Sequence, residues 1–266
     1  MRVGVVLRNS GPEGVSAVRR IAQLASELEY DAVWASDHVV AAGELGARYG
    51  AEWLDPFVSL AVAAEHAPGL LLGFSVLVLP YRSPLPTARA LASLQELSGG
   101  RVVAGAGSGW SEAEFAALGE DFESRGAVTD ERVEVIRAAL HGEIDDFAPP
   151  STPVPLLAGG NGPRVLRRAA LLDGWHPIAL TPGEVAAGVA QLPAGHRVAL
   201  RTRLGLGRER RDRPLFGTPD DVGIDLAAYA DDGVTDLVVD YAAQALDEVE
   251  RDLRALAEIC QELPRD

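Results

Sequence analysis

Apolar residues recur along this chain with two alternating periods. Short runs rich in Val and Leu, bounded by turn-forming residues, alternate with longer stretches in which apolar residues return every three or four positions. The first pattern fits a mostly buried strand and the second an amphipathic helix. Strands are predicted at RVGVVL (2–7), DAVWAS (31–36), LLLGFSVLVL (70–79), RVVAGA (101–106), VPLLAG (154–159), GWHPIAL (174–180), HRVALRTRLG (196–205) and VTDLVVDY (234–241). Helices are predicted at 14–30, 56–66, 84–98, 113–118, 129–142, 163–172, 182–192, 219–232 and 246–263. Eight strand–helix alternations in 266 residues match an α/β fold of one kind, a single (β/α)8 TIM barrel, which takes about 250 residues. A doubly wound open sheet is the alternative. No stretch reads as an interdomain linker, so one barrel domain is expected over 1–266, with the Pro-rich DFAPPSTPVP as a surface loop entering the fifth strand.

Composition narrows the partners. The chain is 47% hydrophobic and 24% charged, which suits a globular core. A net charge of −15 argues against phosphate neutralisation along nucleic acid and against an anionic membrane surface. Every basic residue is Arg, which favours bidentate contacts wherever an anion is met. The single Cys260 can build neither a disulfide framework nor a thiolate metal site, and His66, His141 and His196 are scattered with no carboxylate or imidazole at ligand spacing, so no metal is expected. The longest apolar run, GLLLGFSVLVLP, is too short and too interrupted to span a bilayer. A cytoplasmic protein acting on a small molecule, with no nucleic-acid or membrane partner, is the expectation.

In a barrel, chemistry sits in the loops that follow the strands. Polar residues at the predicted exits are Arg8 and Asn9, Asp37 and His38, Tyr81 and Arg82, Ser108 and Trp110, Asn161, Asp173 and Trp175, Arg201 and Arg203, and Asp240 and Tyr241. By itself the Asp37–His38 pair reads as a cap and a surface hydrogen bond. At a strand exit, an imidazole can pass a proton near neutral pH and a neighbouring carboxylate can fix its tautomer. The Gly-rich exits VAGAGSGW and LAGGNG allow either a tight turn or the close approach of backbone N–H groups to an anion.

Six segments together, YDAVWASDH, LGFSVLVLPYRSP, RVVAGAGSGWSEAEFAALG, SRGAVTDERVEVIRAAL, LLAGGNGPRVLRRAALLDGW and GVTDLVVD, resemble the luciferase-like monooxygenase superfamily, and within it the branch of F420-dependent oxidoreductases. The resemblance runs over about residues 2–245. It implies a TIM barrel of the luciferase-like type that holds coenzyme F420, or alternatively FMN, at its C-terminal mouth. It implies hydride transfer between the deazaflavin C5 and an unidentified small organic substrate. An FMN-dependent monooxygenase, or a non-catalytic flavin-binding barrel, are the alternatives. By position in these motifs, His38 and Asp37 are the candidate catalytic residues. A non-prolyl cis peptide is implied at Ser75–Val76, where it would support the cofactor. Gly107, Ser108 and Gly109, with Ala158, Gly159, Gly160, Asn161 and Gly162, are implied contacts to the ribityl and phosphate portions, and Arg164 and Thr181 to the tail. Trp110 and Tyr81 are implied to face the substrate. Where the sugar-phosphate dehydrogenases of the branch carry a carboxylate, this chain has Trp110, so a sugar phosphate is not implied. The stretches at 141–155 and between strands six and eight are trimmed, giving shortened insertion loops and a more open mouth. Dimers are common in the family, and a homodimer is expected.

Overall fold

The computed structural model describes residues 1–210, 213–243 and 245–262. Its elements in chain order are β1 (Arg2–Val6), α1 (Gly14–Glu27), β2 (Ala32–Ala35), α2 (Glu44–Tyr49), α3 (Pro56–His66), β3 (Leu71–Val78), a 3-10 turn (Leu79–Tyr81), α4 (Pro84–Ser98), β4 (Val102–Gly107), α5 (Glu112–Leu118), α6 (Arg125–Leu140), β5 (Leu156–Gly159), α7 (Pro163–Ala169), β6 (Gly174–His176), α8 (Pro182–Val189), β7 (Arg197–Leu206), β8 (Phe216–Gly217), α9 (Pro219–Asp231), β9 (Asp236–Tyr241) and α10 (Leu246–Glu262). Strands β1 to β6 pair in parallel in sequence order, β6 pairs with β7, β7 with β9, and β9 with β1. The sheet therefore closes into the expected eight-stranded barrel with its helices outside, and the open sheet is excluded.

Several boundaries shift for local reasons. The sixth strand ends at His176, because Pro177 has no N–H to continue the ladder, and only an isolated bridge from Ile178 to Arg201 follows. Short elements α2 and β8 lie where the sequence was read as connection. The long helix begins at Arg125, four residues before the predicted Thr129. The end predicted for the last helix, Leu263, lies outside the described residues. Starts are well specified. Asp55 accepts from the Phe57 and Val58 amides ahead of Pro56, and Thr218 and Asp221 form a reciprocal capping box at α9.

Strand alternation divides the apolar residues into two cores. One lies between strands and helices, with Val3, Val5 and Leu7 of the first strand and its exit facing Ile21 and Leu24 of α1. The second fills the barrel interior with Val6, Ala32, Trp34, Val103, Leu157, Ala199 and Val238. Trp34 is fully buried and dominates it. Its indole takes the space that side chains on β1 and β3 would need. A Cβ on Gly73 would fall inside the ring, and one on Gly4 would sit 2.7 Å from Nε1. Glycine at these two positions is thus a packing requirement for the large ring.

Above Trp34 lies His176, stacked on it at 5.3 Å between centroids. His176 Nδ1 bonds the Ala199 carbonyl, and its Nε2 bonds Ser75 Oγ at 2.8 Å. Burial first, and then the cationic Arg201 and Arg197, push its pKa down to about 4 from the ordinary 6.5, with the Ala199 bond opposing. In the window between 6.5 and about 4 the unfolded chain binds a proton that the folded chain refuses. Stability must then fall on acidification through that window, by an amount on the order of 3 kcal/mol. His176→Gln should be less stable than wild type at pH 7, and the gap should narrow toward pH 4 in urea unfolding. A gap that does not change with pH would show that His176 is not held neutral.

Candidate active site

The mouth at the C-terminal ends of the strands is organised around a carboxylate that the motif reading did not single out. Glu114 belongs to the first turn of α5, a helix started by Ser111, whose hydroxyl accepts from the Glu114 amide. Its side chain is fully buried, and both oxygens are used. Oε1 accepts from the backbone N–H of Val39 at 2.6 Å and of Val40 at 3.1 Å. Oε2 meets His38 Nδ1 at 2.8 Å and accepts from the Tyr81 hydroxyl at 3.0 Å. One carboxylate therefore ties together the exits of β2, β3 and β4.

Burial alone would raise the Glu114 carboxyl, but the His38 bond and the Val39 and Val40 amides more than offset it and hold it below the usual range. Burial first, then the nearby Glu114 charge, push the Tyr81 phenol well above its ordinary value, so it remains a donor. The His38 ring packs edge-on against Trp53 at 4.5 Å and Trp110 at 6.0 Å, and Tyr49 continues the aromatic wall beyond Trp53. Val39, Val40 and Trp110 are exposed at its rim.

Asp37 stands beside His38 in sequence but serves another group. Its buried carboxylate accepts from the Val78 amide at 3.0 Å and from Arg82 Nε and Nη2 at 3.1 and 2.7 Å. Arg82 reaches on to Asp55 at 2.9 Å. The carboxylate on the imidazole is Glu114, and Asp37 braces the turn after β3. Arg132 on α6 holds the same turn by donating to the Leu79, Pro80 and Arg82 carbonyls.

On the other side of the mouth, the Ser75–Val76 peptide is cis, and the β3–β4 register shifts there. Val76 is half-buried and its side chain rests on two glycines. A Cβ on Gly107 or Gly159 would collide with its methyl groups. Gly109 and Gly160 adopt positive φ of 77° and 111°, as does Gly162 at 94°. Ser108 is part-exposed between Gly107 and Gly109, and Ala158 is buried within β5. Arg201, a residue of β7, donates to the Ser75 carbonyl at 2.5 Å, to Ser36 Oγ at 3.0 Å and to Asp240 at 2.9 Å. Burial raises the Asp240 carboxyl, but Arg201 outweighs it and keeps it ionised.

Two of the implied cofactor contacts, one for the ribityl and phosphate portions and one for the tail, are engaged within the protein itself. The Asn161 amide pairs with both backbone groups of Ile178 at 2.9 and 3.1 Å, joining the β5 and β6 exits. Thr181 forms a capping box with Glu184 at the start of α8. Arg164 is exposed in the first turn of α7.

A planar flavin or deazaflavin fits these features. The two glycines beside Val76 leave the strand ends without side chains, and Arg8 Nη1 and Arg201 Nε are sealed from water with no protein partner. Among the described residues no group of three His, Cys, Asp or Glu could hold a metal ion. No helix among them is long and apolar enough to cross a membrane.

A closed barrel with polar groups gathered at its C-terminal mouth is the framework of a barrel enzyme. The chain belongs to the luciferase-like monooxygenase family, whose sequence model matches residues 1–208. It is 36% identical over 140 residues to an uncharacterised protein of Mycobacterium bovis, covering 47% of this chain and 48% of that one. The chain thus spans about half the length of that curated relative. It is 30% identical over 244 residues to 5,10-methylenetetrahydromethanopterin reductase of Methanolobus tindarius, covering 86% of this chain and 64% of the reductase. Among solved structures, an F420-dependent secondary alcohol dehydrogenase in complex with an F420-acetone adduct superposes with a TM-score of 0.79 at 15% identity, over 97% of each chain. The oxygenating constituent of 3,6-diketocamphane monooxygenase from Pseudomonas putida, in complex with FMN, superposes at 0.77 and 14% identity over 99% of each. The barrel is therefore shared by enzymes of both cofactors.

The bracing role of Asp37 has a measurable consequence. Asp37→Ala leaves the partly buried Arg82 and the Val78 amide without their main acceptor and should cost about 3 kcal/mol. His38→Gln keeps an amide N–H that can reach Glu114 Oε2 in place of the imidazole and should cost less, about 1 kcal/mol. Equal losses in urea unfolding would remove the distinction between the two neighbours.

Proposed function

We propose that this protein is an F420-dependent oxidoreductase that moves a hydride between the deazaflavin C5 and a small, uncharged organic substrate at the barrel mouth. The observation that carries this reading is His38, held at Nδ1 and facing the mouth within an aromatic wall. When bound, the deazaflavin supplies or takes the hydride at C5. Val76, Gly107 and Gly159 would support its ring, with Arg8 and Arg201 offering the unpartnered N–H groups to its polar edge. Ser108, Gly109 and the Gly160–Gly162 segment would carry the ribityl and phosphate portions through backbone amides, with Arg164 outside.

The chain's own contribution is orientation and proton handling. Alcohol oxidation releases a proton from the hydroxyl as the carbon loses hydride, and ketone reduction requires one at the same oxygen. In this reading His38 Nε2 takes or returns it. The wall around it, Trp53, Trp110 and the Val39–Val40 rim, favours an apolar substrate body. Arg82, the cation of the β3 exit, is already engaged by two carboxylates, which supports a neutral substrate over a phosphorylated one.

Fluorescence titration of the purified chain with F420 and with FMN separates the readings. Binding of F420 with weak or no FMN binding is expected, and tight FMN binding without F420 would overturn the cofactor assignment. With F420 bound, a panel of secondary alcohols and ketones followed at the deazaflavin absorbance should reveal turnover. His38→Gln should lower it by about 10² to 10⁴-fold while the F420 dissociation constant stays within about twofold. Unchanged turnover would remove His38 from the reaction.

A further inference from the structure

We infer that Glu114 is a positioning residue that fixes the tautomer of His38, placing the hydrogen on Nδ1 and presenting Nε2 to the mouth as the nitrogen that exchanges protons with substrate. This rests on the proposed role of His38, but the tautomer itself can be tested apart from any reaction.

Counting donors and acceptors around the ring leaves one arrangement. An ionised carboxylate can only accept. Glu114 Oε1 is taken by the two amides of Val39 and Val40, which are donors in every protonation state. Oε2 faces the Tyr81 hydroxyl and His38 Nδ1. Tyr81 keeps its proton, and a carboxylate oxygen at 2.8 Å from Nδ1 requires that nitrogen to be the donor. Nε2 has no hydrogen-bond partner among the described residues, and it is not among the sealed, unpartnered polar atoms of the interior. It is the ring's open nitrogen. The ring is oriented by its Nδ1 bond to Glu114 and lies edge-on to Trp53 and Trp110.

The same count makes the isosteric amide a specific probe. In Glu114→Gln, the amide oxygen must remain on the Val39 and Val40 donors, since an NH₂ group there would face two N–H groups. The NH₂ group is then forced onto His38 Nδ1 and the Tyr81 oxygen. It donates, so Nδ1 must become the acceptor and the hydrogen must move to Nε2. Shape and packing change little, while the nitrogen offered to the substrate changes from acceptor to donor.

Long-range proton–nitrogen correlation spectra of the full-length, ¹⁵N-histidine-labelled protein read the tautomer, with the His38 signals assigned by their loss in His38→Gln. Above the imidazole titration, wild type should show a protonated Nδ1 and a bare Nε2. Glu114→Gln should show the reverse, and Tyr81→Phe, which leaves the carboxylate in place, should keep the wild-type pattern. With F420 and the best alcohol of the panel, Glu114→Gln should lose about 10²-fold or more in kcat with KM within about threefold. A wild-type spectrum with hydrogen on Nε2 overturns the inference even if the variant does not fold. So does a Glu114→Gln spectrum unchanged from wild type. A reversed tautomer with undiminished turnover upholds the positioning by Glu114 and overturns instead the proton role proposed for His38.

Discussion

The arrangement of the mouth depends on one buried charge. Desolvating a carboxylate costs several kcal/mol unless donors replace its hydration. Glu114 meets that condition with four: two amides and an imidazole from the connection after β2, and a phenol from the turn after β3. Because α5 itself follows β4, the charge also fixes where that helix sits over the barrel. Charge-assisted bonds are shorter and stronger than neutral ones, so the three exits are held with a precision that loop packing alone would not give. The amides of Val39 and Val40 turn inward to Glu114 while their side chains form the exposed apolar rim.

The second constraint lies beneath, in the barrel interior. Trp34 fills space that many barrels fill with layers of branched side chains, and Gly4 and Gly73 give way to it. The large ring supports His176, which in turn bonds Ser75 at the cis peptide. Arg201 bonds the carbonyl of the same residue from β7. Position of Val76 at the mouth is thus set from below by an aromatic stack and from the side by a guanidinium, while Gly107 and Gly159 clear the space around it. Glycine at 107 and 159 reads in the sequence as a turn or an anion cradle. Both residues are within or at the end of their strands, and each is required by the close approach of a neighbouring side chain.

Periodicity made all eight barrel strands legible, because strands buried on both faces and helices with one apolar face leave different spacings in the chain. The exits of those strands followed from it, and with them His38, Trp110 and Tyr81, which do converge. What could not be read was pairing. Asp37 and His38 are adjacent, yet the alternation of side chains at the end of a strand points neighbours in opposite directions, and Asp37 turns to Arg82 while His38 turns to the mouth. The partner of His38 lies 76 residues away in the sequence. A signal for it did exist: Ser111 and Glu114 stand at cap and third-residue spacing, which places the Glu114 side chain on the first turn of a helix above β4. That spacing is shared by most solvated capping boxes, and only the tertiary fold turns the carboxylate inward instead of back to its own cap.

The two halves of the mouth divide the work by chemistry. Around β2, β3 and β4 the side chains carry ionisable groups, and each charge is matched within the protein: Glu114 by His38 and backbone donors, Asp37 by Arg82, Arg82 by Asp37 and Asp55. Around β4 and β5 the side chains are nearly absent, and backbone with positive φ takes their place. A surface without side chains admits a flat ring and offers amides to its tail, but it cannot donate or accept a proton. A surface with matched charges can hold an imidazole in one tautomer. The proposed reaction, which needs both a bound ring and a positioned proton carrier, would fall along the seam between the halves. Trp110 and Tyr81 stand on that seam, the first after the glycines of β4 and the second bonded to Glu114. In the proposed reaction a substrate would lie along this seam, against the apolar wall and within reach of His38 Nε2.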